Sequence, residues 1–142
     1  MKPRLHLVAG LLLFGAVAAC NSVVNCSPCG GPVLIELGGL QPRPTQLQVC
    51  LDKVCQAASR LPADQPMINA GGSAVYDHST ITLHTYRNGR RAGTYVITDL
   101  TLRRPSGKGC DCGEEVALVP APDGTLRRRP PGSPSPTLPP ST

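Results

Sequence analysis

Between Val33 and Leu126 the apolar residues fall in short runs with a spacing of two, the repeat of a strand that buries one face. Gln46-Leu47-Gln48-Val49-Cys50-Leu51 alternates polar and apolar along its length. Thr80-Ile81-Thr82-Leu83-His84-Thr85-Tyr86 does the same, with Ile81 and Leu83 inward and Thr82, His84 and Tyr86 toward solvent. Val33-Leu34-Ile35-Glu36-Leu37 is an aliphatic run ended by Gly38-Gly39, a strand by composition. Asp52-Lys53 predicts a two-residue turn into Val54-Cys55-Gln56-Ala57. Asn88-Gly89 matches a type I′ hairpin turn, which needs positive φ at both central residues, and it returns the chain through a strand within residues 94–102. Residues 116–119 and 125–126 form a final hairpin around Pro120-Ala121-Pro122-Asp123-Gly124. The best helical stretch, residues 55–61, is short and stops against Pro62, and residues 62–73 read as a long loop. Six to seven short strands at turn-marked intervals predict an all-β fold, a small antiparallel β-sandwich of immunoglobulin-like type.

Outside this body the pattern changes twice. Lys2 and Arg4 precede an apolar run from Leu7 to Val17, then come Ala18, Ala19 and Cys20. That is the layout of a secretory signal peptide, and the run is short of the about 20 apolar residues that a membrane-spanning helix needs. At the other end, residues 127–142 read RRRPPGSPSPTLPPST, with almost nothing to bury against the entropy of ordering, and are expected to be a disordered tail of polyproline-II character.

The residues Val17-Ala18-Ala19-Cys20 resemble the lipobox of bacterial lipoproteins, with Val where Leu is commoner at the first position. The resemblance covers residues 1–20 only. It implies cleavage after Ala19 and diacylglycerol on the Cys20 sulfur, so the mature chain would hang from the membrane by its first residue. With each buried methylene contributing about 0.8 kcal/mol, two or three acyl chains would hold a domain on a bilayer indefinitely. Asn21 takes the position at which aspartate would signal retention in the inner membrane of diderm bacteria. The expected organisation is a cleaved signal peptide (1–19), a lipidated tether (20–32), a β-domain (33–126) and the tail (127–142).

Core size makes the cysteines matter. The chain has 142 residues and no Trp, and Phe14 lies in the signal peptide. A domain of under about a hundred residues draws only a few kcal/mol net from its core, and exported ones commonly add covalent staples. Once Cys20 is lipidated, six cysteines remain for an oxidising compartment: Cys26, Cys29, Cys50, Cys55, Cys110 and Cys112. If Asp52-Lys53 is the turn, Cys50 and Cys55 face each other as a non-hydrogen-bonded pair about 4.5 Å apart, within disulfide range. The other four are open between local bridges, Cys26–Cys29 and Cys110–Cys112, and bridges that pin the tether to the 105–113 loop. Cys26-Ser27-Pro28-Cys29 also has the C-x-x-C spacing of thiol oxidoreductases, which makes a thiol–disulfide redox protein the alternative reading, though no strand–helix context surrounds it. The same cysteines suggest a four-thiolate zinc site, disfavoured by export and by the lack of a second C-x-x-C.

Charge and the remaining polar groups narrow the function. The formal net charge is +5, but between residues 20 and 126 nine basic residues meet nine acidic ones, so the body reads as neutral and a nucleic-acid partner is not expected. Arg103-Arg104 and Arg127-Arg128-Arg129 read as solvated charge, with contact to anionic lipid or wall polymer as the functional option. His78, His84, Asp77 and Tyr86 show no metal or catalytic spacing, and Gly71-Gly72-Ser73 is not a nucleophile elbow. These features predict an extracytoplasmic, lipid-anchored envelope protein with a non-enzymatic binding or structural β-domain. No cofactor or metal is expected; the partners are the membrane, through Cys20, and an envelope protein or polymer.

Overall fold

The computed structural model describes residues 26–134. Cys20, the expected signal peptide, the first residues of the expected tether and the end of the expected tail lie outside the described residues. The described chain forms nine strands and one short 3₁₀ helix. In order these are β1 (Val33–Glu36), β2 (Gln46–Leu51), β3 (Val54–Cys55), β4 (Ser59–Arg60), β5 (Met67–Asn69), the 3₁₀ helix (Gly72–Asp77), β6 (Ile81–Arg87), β7 (Arg90–Ile97), β8 (Val116–Pro120) and β9 (Leu126–Arg128). They build two sheets, one in the order β5-β1-β8-β9 and one in the order β3-β2-β6-β7, with β4 also paired to β2. A parallel bridge from Val96 to Thr125, with the Val96 N–H donating to the Gly124 carbonyl at 3.0 Å, joins the sheets along one edge.

The period-two pattern accounts for most of this. Leu47, Val49 and Leu51 on β2 and Ile81 and Leu83 on β6 are buried, and they meet Val33, Ile35 and Leu118 of the other sheet in one core with Leu37, Leu100, Val75 and Leu126. Each such side chain contributes about 1.5–3 kcal/mol on leaving water. Asn88 and Gly89 take φ of 51° and 72°, the two left-handed residues of the expected hairpin turn. Asp52 takes φ of 50°, and Cys50 pairs with Cys55 across the turn that it opens.

Five expectations need correction. The sheets are not wholly antiparallel: β1 runs parallel to β8, with Val33, Leu34 and Ile35 opposite Val116, Ala117 and Leu118. Residues 55–61 hold no helix, because Cys55 closes β3 and Ser59–Arg60 pairs with Gln46 and Leu47 of β2. The expected long loop contains β5 and the first two residues of the 3₁₀ helix, β5 supported by three residues of β1. Strand β7 begins directly after the turn, at Arg90, and ends at Ile97. The order also extends past residue 126: Arg127 and Arg128 lie in β9, so the strand enters the segment expected to be tail.

Candidate functional site

The six cysteines after Cys20 form three disulfides. Cys50–Cys55 staples β2 to β3, with Cα atoms 3.9 Å apart. The other two choose between the alternatives that the sequence left open. Cys26 bonds Cys110 and Cys29 bonds Cys112, so the tether is fastened to the loop before β8 by two bridges. Their placement follows from the parallel pair. Each residue of β1 faces the residue 83 positions later in β8, and Cys29 and Cys112 have the same separation of 83. The pair Cys26 and Cys110 is separated by 84. The bridges therefore continue the β1–β8 register upstream, beyond the last ladder hydrogen bond from the Val116 N–H to the Pro32 carbonyl at 2.9 Å.

Charge–dipole contacts shape the loop that presents Cys110 and Cys112. The Arg103 guanidinium donates to both Asp111 carboxylate oxygens, each at 2.9 Å. That carboxylate also accepts backbone N–H bonds from Ser106 at 2.8 Å and Gly113 at 3.0 Å. The Arg103 contact, aided by these N–H groups, holds the Asp111 carboxyl far below the ordinary carboxylate range and raises Arg103 in turn. Gly113 has φ of +77°, and a Cβ there would stand 2.8 Å from the Arg103 carbonyl oxygen, so the residue after Cys112 must be glycine. Glu114 accepts the Arg103 N–H and the Arg128 guanidinium, both at 2.9 Å, and those two donors lower its pKa. Arg104 pairs with Asp77, the last residue of the 3₁₀ helix.

The five arginines read as solvated charge are thus each committed. Besides the pairs of Arg103, Arg104 and Arg128, Arg127 pairs with Asp123, and Arg129 reaches Glu36 of β1 at 2.5 Å. Glu36 and Arg129 are the most enclosed pair, with side-chain exposures of 8% and 17%. Asp123 and Asp111 lie only 4 and 8 residues from their arginines, whereas the partners of Arg128, Arg104 and Arg129 are 14, 27 and 93 residues away, beyond any local pattern. With the three tail arginines ion-paired into the body, the folded unit is basic rather than neutral.

The histidines and the tyrosine do not converge. His78 lies 2.7 Å from Asp52, in the β2–β3 turn, while its neighbour Asp77 serves Arg104. The His78 contact and the Ser79 and Thr80 N–H groups lower the Asp52 pKa. His84 bonds the Thr94 hydroxyl at 3.0 Å on the neighbouring strand; its pKa is lowered by partial burial and by the Arg91 charge. Tyr86 donates to Gln48 at 2.9 Å. A hollow of about 250 Å³ beside Asp52, Tyr76, His78 and Leu102 contains no nucleophile poised against a base. Among the described residues no three His, Cys, Asp or Glu side chains are grouped as metal ligands, and no helix is long and apolar enough to cross a membrane. Three disulfides in so small a unit are consistent with a place outside the cytoplasm. No protein-family model, curated protein or solved structure matches this chain.

Proposed function

We propose that the chain is a lipid-anchored cell-envelope protein whose β-domain, a small immunoglobulin-like sandwich in this reading, has a non-enzymatic binding or structural role outside the cytoplasmic membrane. One observation carries the reading: the first and second cysteines after Cys20 are both bonded to the body of the domain. Cys26 comes six residues after Cys20, and a chain of that length reaches at most about 20 Å. A lipid on Cys20 would therefore hold the domain close to the bilayer, with its cross-linked end toward the anchor. The two sheets sharing one core support the sandwich. The redox alternative requires Cys26 and Cys29 to exchange a bond with each other, whereas each is bonded to a different partner, an arrangement that supports stapling.

The test is Cys20→Ala. The variant is expected to lose incorporation of labelled fatty acid and to leave the membrane fraction or accumulate unprocessed. Normal lipid labelling and membrane retention would overturn the anchor.

A further inference from the structure

We propose that the β6–β7 hairpin end of the larger sheet is a docking surface for a linear phosphate-bearing polyanion of the cell envelope, presented away from the anchoring membrane. Of the nine acidic residues, Glu36, Asp77, Asp111, Glu114 and Asp123 are paired with arginines elsewhere on the domain, and Asp52 is bonded to His78. At this end the balance is reversed. Arg60, Arg87, Arg90 and Arg91 have no carboxylate partner among the described residues, and residues 78–98 contain no Asp or Glu.

The register places these four residues at one end of the sheet, Arg60 and Arg91 on one face and Arg87 and Arg90, one position along their strands, on the other. Arg60 pairs with Gln46, Gln46 with Tyr86, and Tyr86 with Arg91, so one row across four strands carries a guanidinium at each end, about 14 Å apart at the usual strand spacing. The Arg91 guanidinium lies over the Tyr86 ring, 5.8 Å from its centroid. Arg87 and Arg90 are directly opposed at the hairpin end, a like-charge pairing that works against the hairpin. All four arginines are exposed. Such an arrangement disfavours the free domain and favours a complex that supplies negative charge.

The chemistry of the partner follows from the side chains. All four cations are arginines, whose planar forks bind phosphate oxygens two at a time. Tyr86 is covered by Arg91, so the row offers no open ring for stacking bases. Recognition would rest on charge along a backbone. Position separates such a polymer from the anchoring bilayer. Strand β6 begins just after the 3₁₀ helix that Arg104 ties to the cross-linked loop, and it ends at Arg87, about 20 Å along. The arginines thus stand at the opposite end of the strand from the tether bridges. This choice of polymer over bilayer rests on the lipid-anchor reading.

The experiment uses the full chain in bilayer discs of neutral phosphatidylcholine, with fluorescent inorganic polyphosphate as the probe. Binding should appear at low salt and weaken steeply as salt rises. Arg87→Gln/Arg90→Gln should weaken it roughly tenfold, because two phosphate contacts are removed, without loss of thermal stability. Lys53→Gln/Lys108→Gln, which removes the same charge elsewhere, should change it less than about twofold. Equal weakening by both double variants, equal binding of polygalacturonate, or binding only to phosphatidylglycerol vesicles would each overturn the proposal. Cys20→Ala separates it from the anchor: detergent-free Cys20→Ala protein should bind polyphosphate as the parent does whether or not membrane retention depends on Cys20. Loss of that binding would count against the surface, not the anchor.

Discussion

The two tether bridges should be strongly non-additive in stability, because one makes most of the other redundant. Cys26–Cys110 spans 84 residues and Cys29–Cys112 spans 83. In the chain-entropy account, closing a loop of that length in the unfolded chain contributes about 4.5 kcal/mol. With either bridge in place, the other closes only a small ring made of residues 26–29 and 110–112, which adds about 2 kcal/mol. Cys26→Ser/Cys110→Ser or Cys29→Ser/Cys112→Ser alone should therefore cost about 2 kcal/mol, and removal of all four cysteines about 7 kcal/mol rather than the about 4 expected from the sum. Guanidinium unfolding of the full chain, followed by circular dichroism, would measure this. Each single-bridge variant should keep the parent's denaturant slope. The variant without both bridges should unfold with a steeper slope, since its unfolded state is less compact. A domain of this size has about 5–15 kcal/mol in total, so a loss of about 7 kcal/mol brings the variant without both bridges near its threshold for folding. A cost near 4.5 kcal/mol for either bridge alone, or strict additivity, would refute the argument that the bridges share one loop.

Two further outcomes follow from the charge pairs. Arg129→Met should leave the Glu36 carboxylate enclosed without its partner and cost about 3 kcal/mol, while Glu36→Leu/Arg129→Met should cost less than Arg129→Met alone; thermal melts showing simple additivity would refute the coupling. Acid should destabilise the domain through carboxylates whose folded pKa is depressed. The Thr125 hydroxyl and N–H, with Arg127, hold Asp123 down to about 2. Because the unfolded value is about 3.9, this contribution is fully present above that pH and is lost as pH falls toward the folded value. Urea midpoints should fall from pH 4 toward pH 2 and fall less in Asp123→Asn; a midpoint that rises on acidification, or an unchanged slope in Asp123→Asn, would refute it.

The strands that carry their own pattern were legible, and those that borrow it were not. Gln46–Leu51 alternates over its full length, and the observed strand has those bounds. Cys50 opposite Cys55 followed from a two-residue turn and the antiparallel geometry alone. Strand β5 has three residues, Met67-Ile68-Asn69, of which only Ile68 packs against the core; its hydrogen bonds come from β1, and nothing within residues 62–73 announces them. The pairing of four cysteines depends on where β1 finds its partner, a tertiary fact that a spacing of two or three residues cannot contain. A signal was nevertheless present. Once β1 is set beside β8 at an offset of 83, Cys29 meets Cys112 by counting. The arginines were misassigned for a related reason. Local composition at residues 127–129 looks like a polar tail, whereas Glu36 and Glu114, which hold two of them, are supplied by distant parts of the chain.

The register of the bridges also explains why a domain hung from Cys20 would need two of them. Strand β1 is only four residues long and lies between β5 and β8, with Val33, Ile35 and Leu37 fully buried behind it. A parallel pair cannot be closed by a short turn, so nothing local holds the start of β1 to β8. A pull transmitted through the tether would meet the Val116–Pro32 hydrogen bond first and open the ladder from its end, one contact at a time, exposing those three side chains in sequence. The bridges intercept that pull upstream of the ladder. They carry it covalently into residues 110–112, where Asp111 is held by Arg103 and the backbone N–H groups of Ser106 and Gly113. Two bridges rather than one keep the tether from pivoting about a single bond, so the first residues of β1 stay in register with β8. In a chain anchored at Cys20, the hydrogen-bonded ladder would position the strand and the disulfides would bear the connection to the membrane.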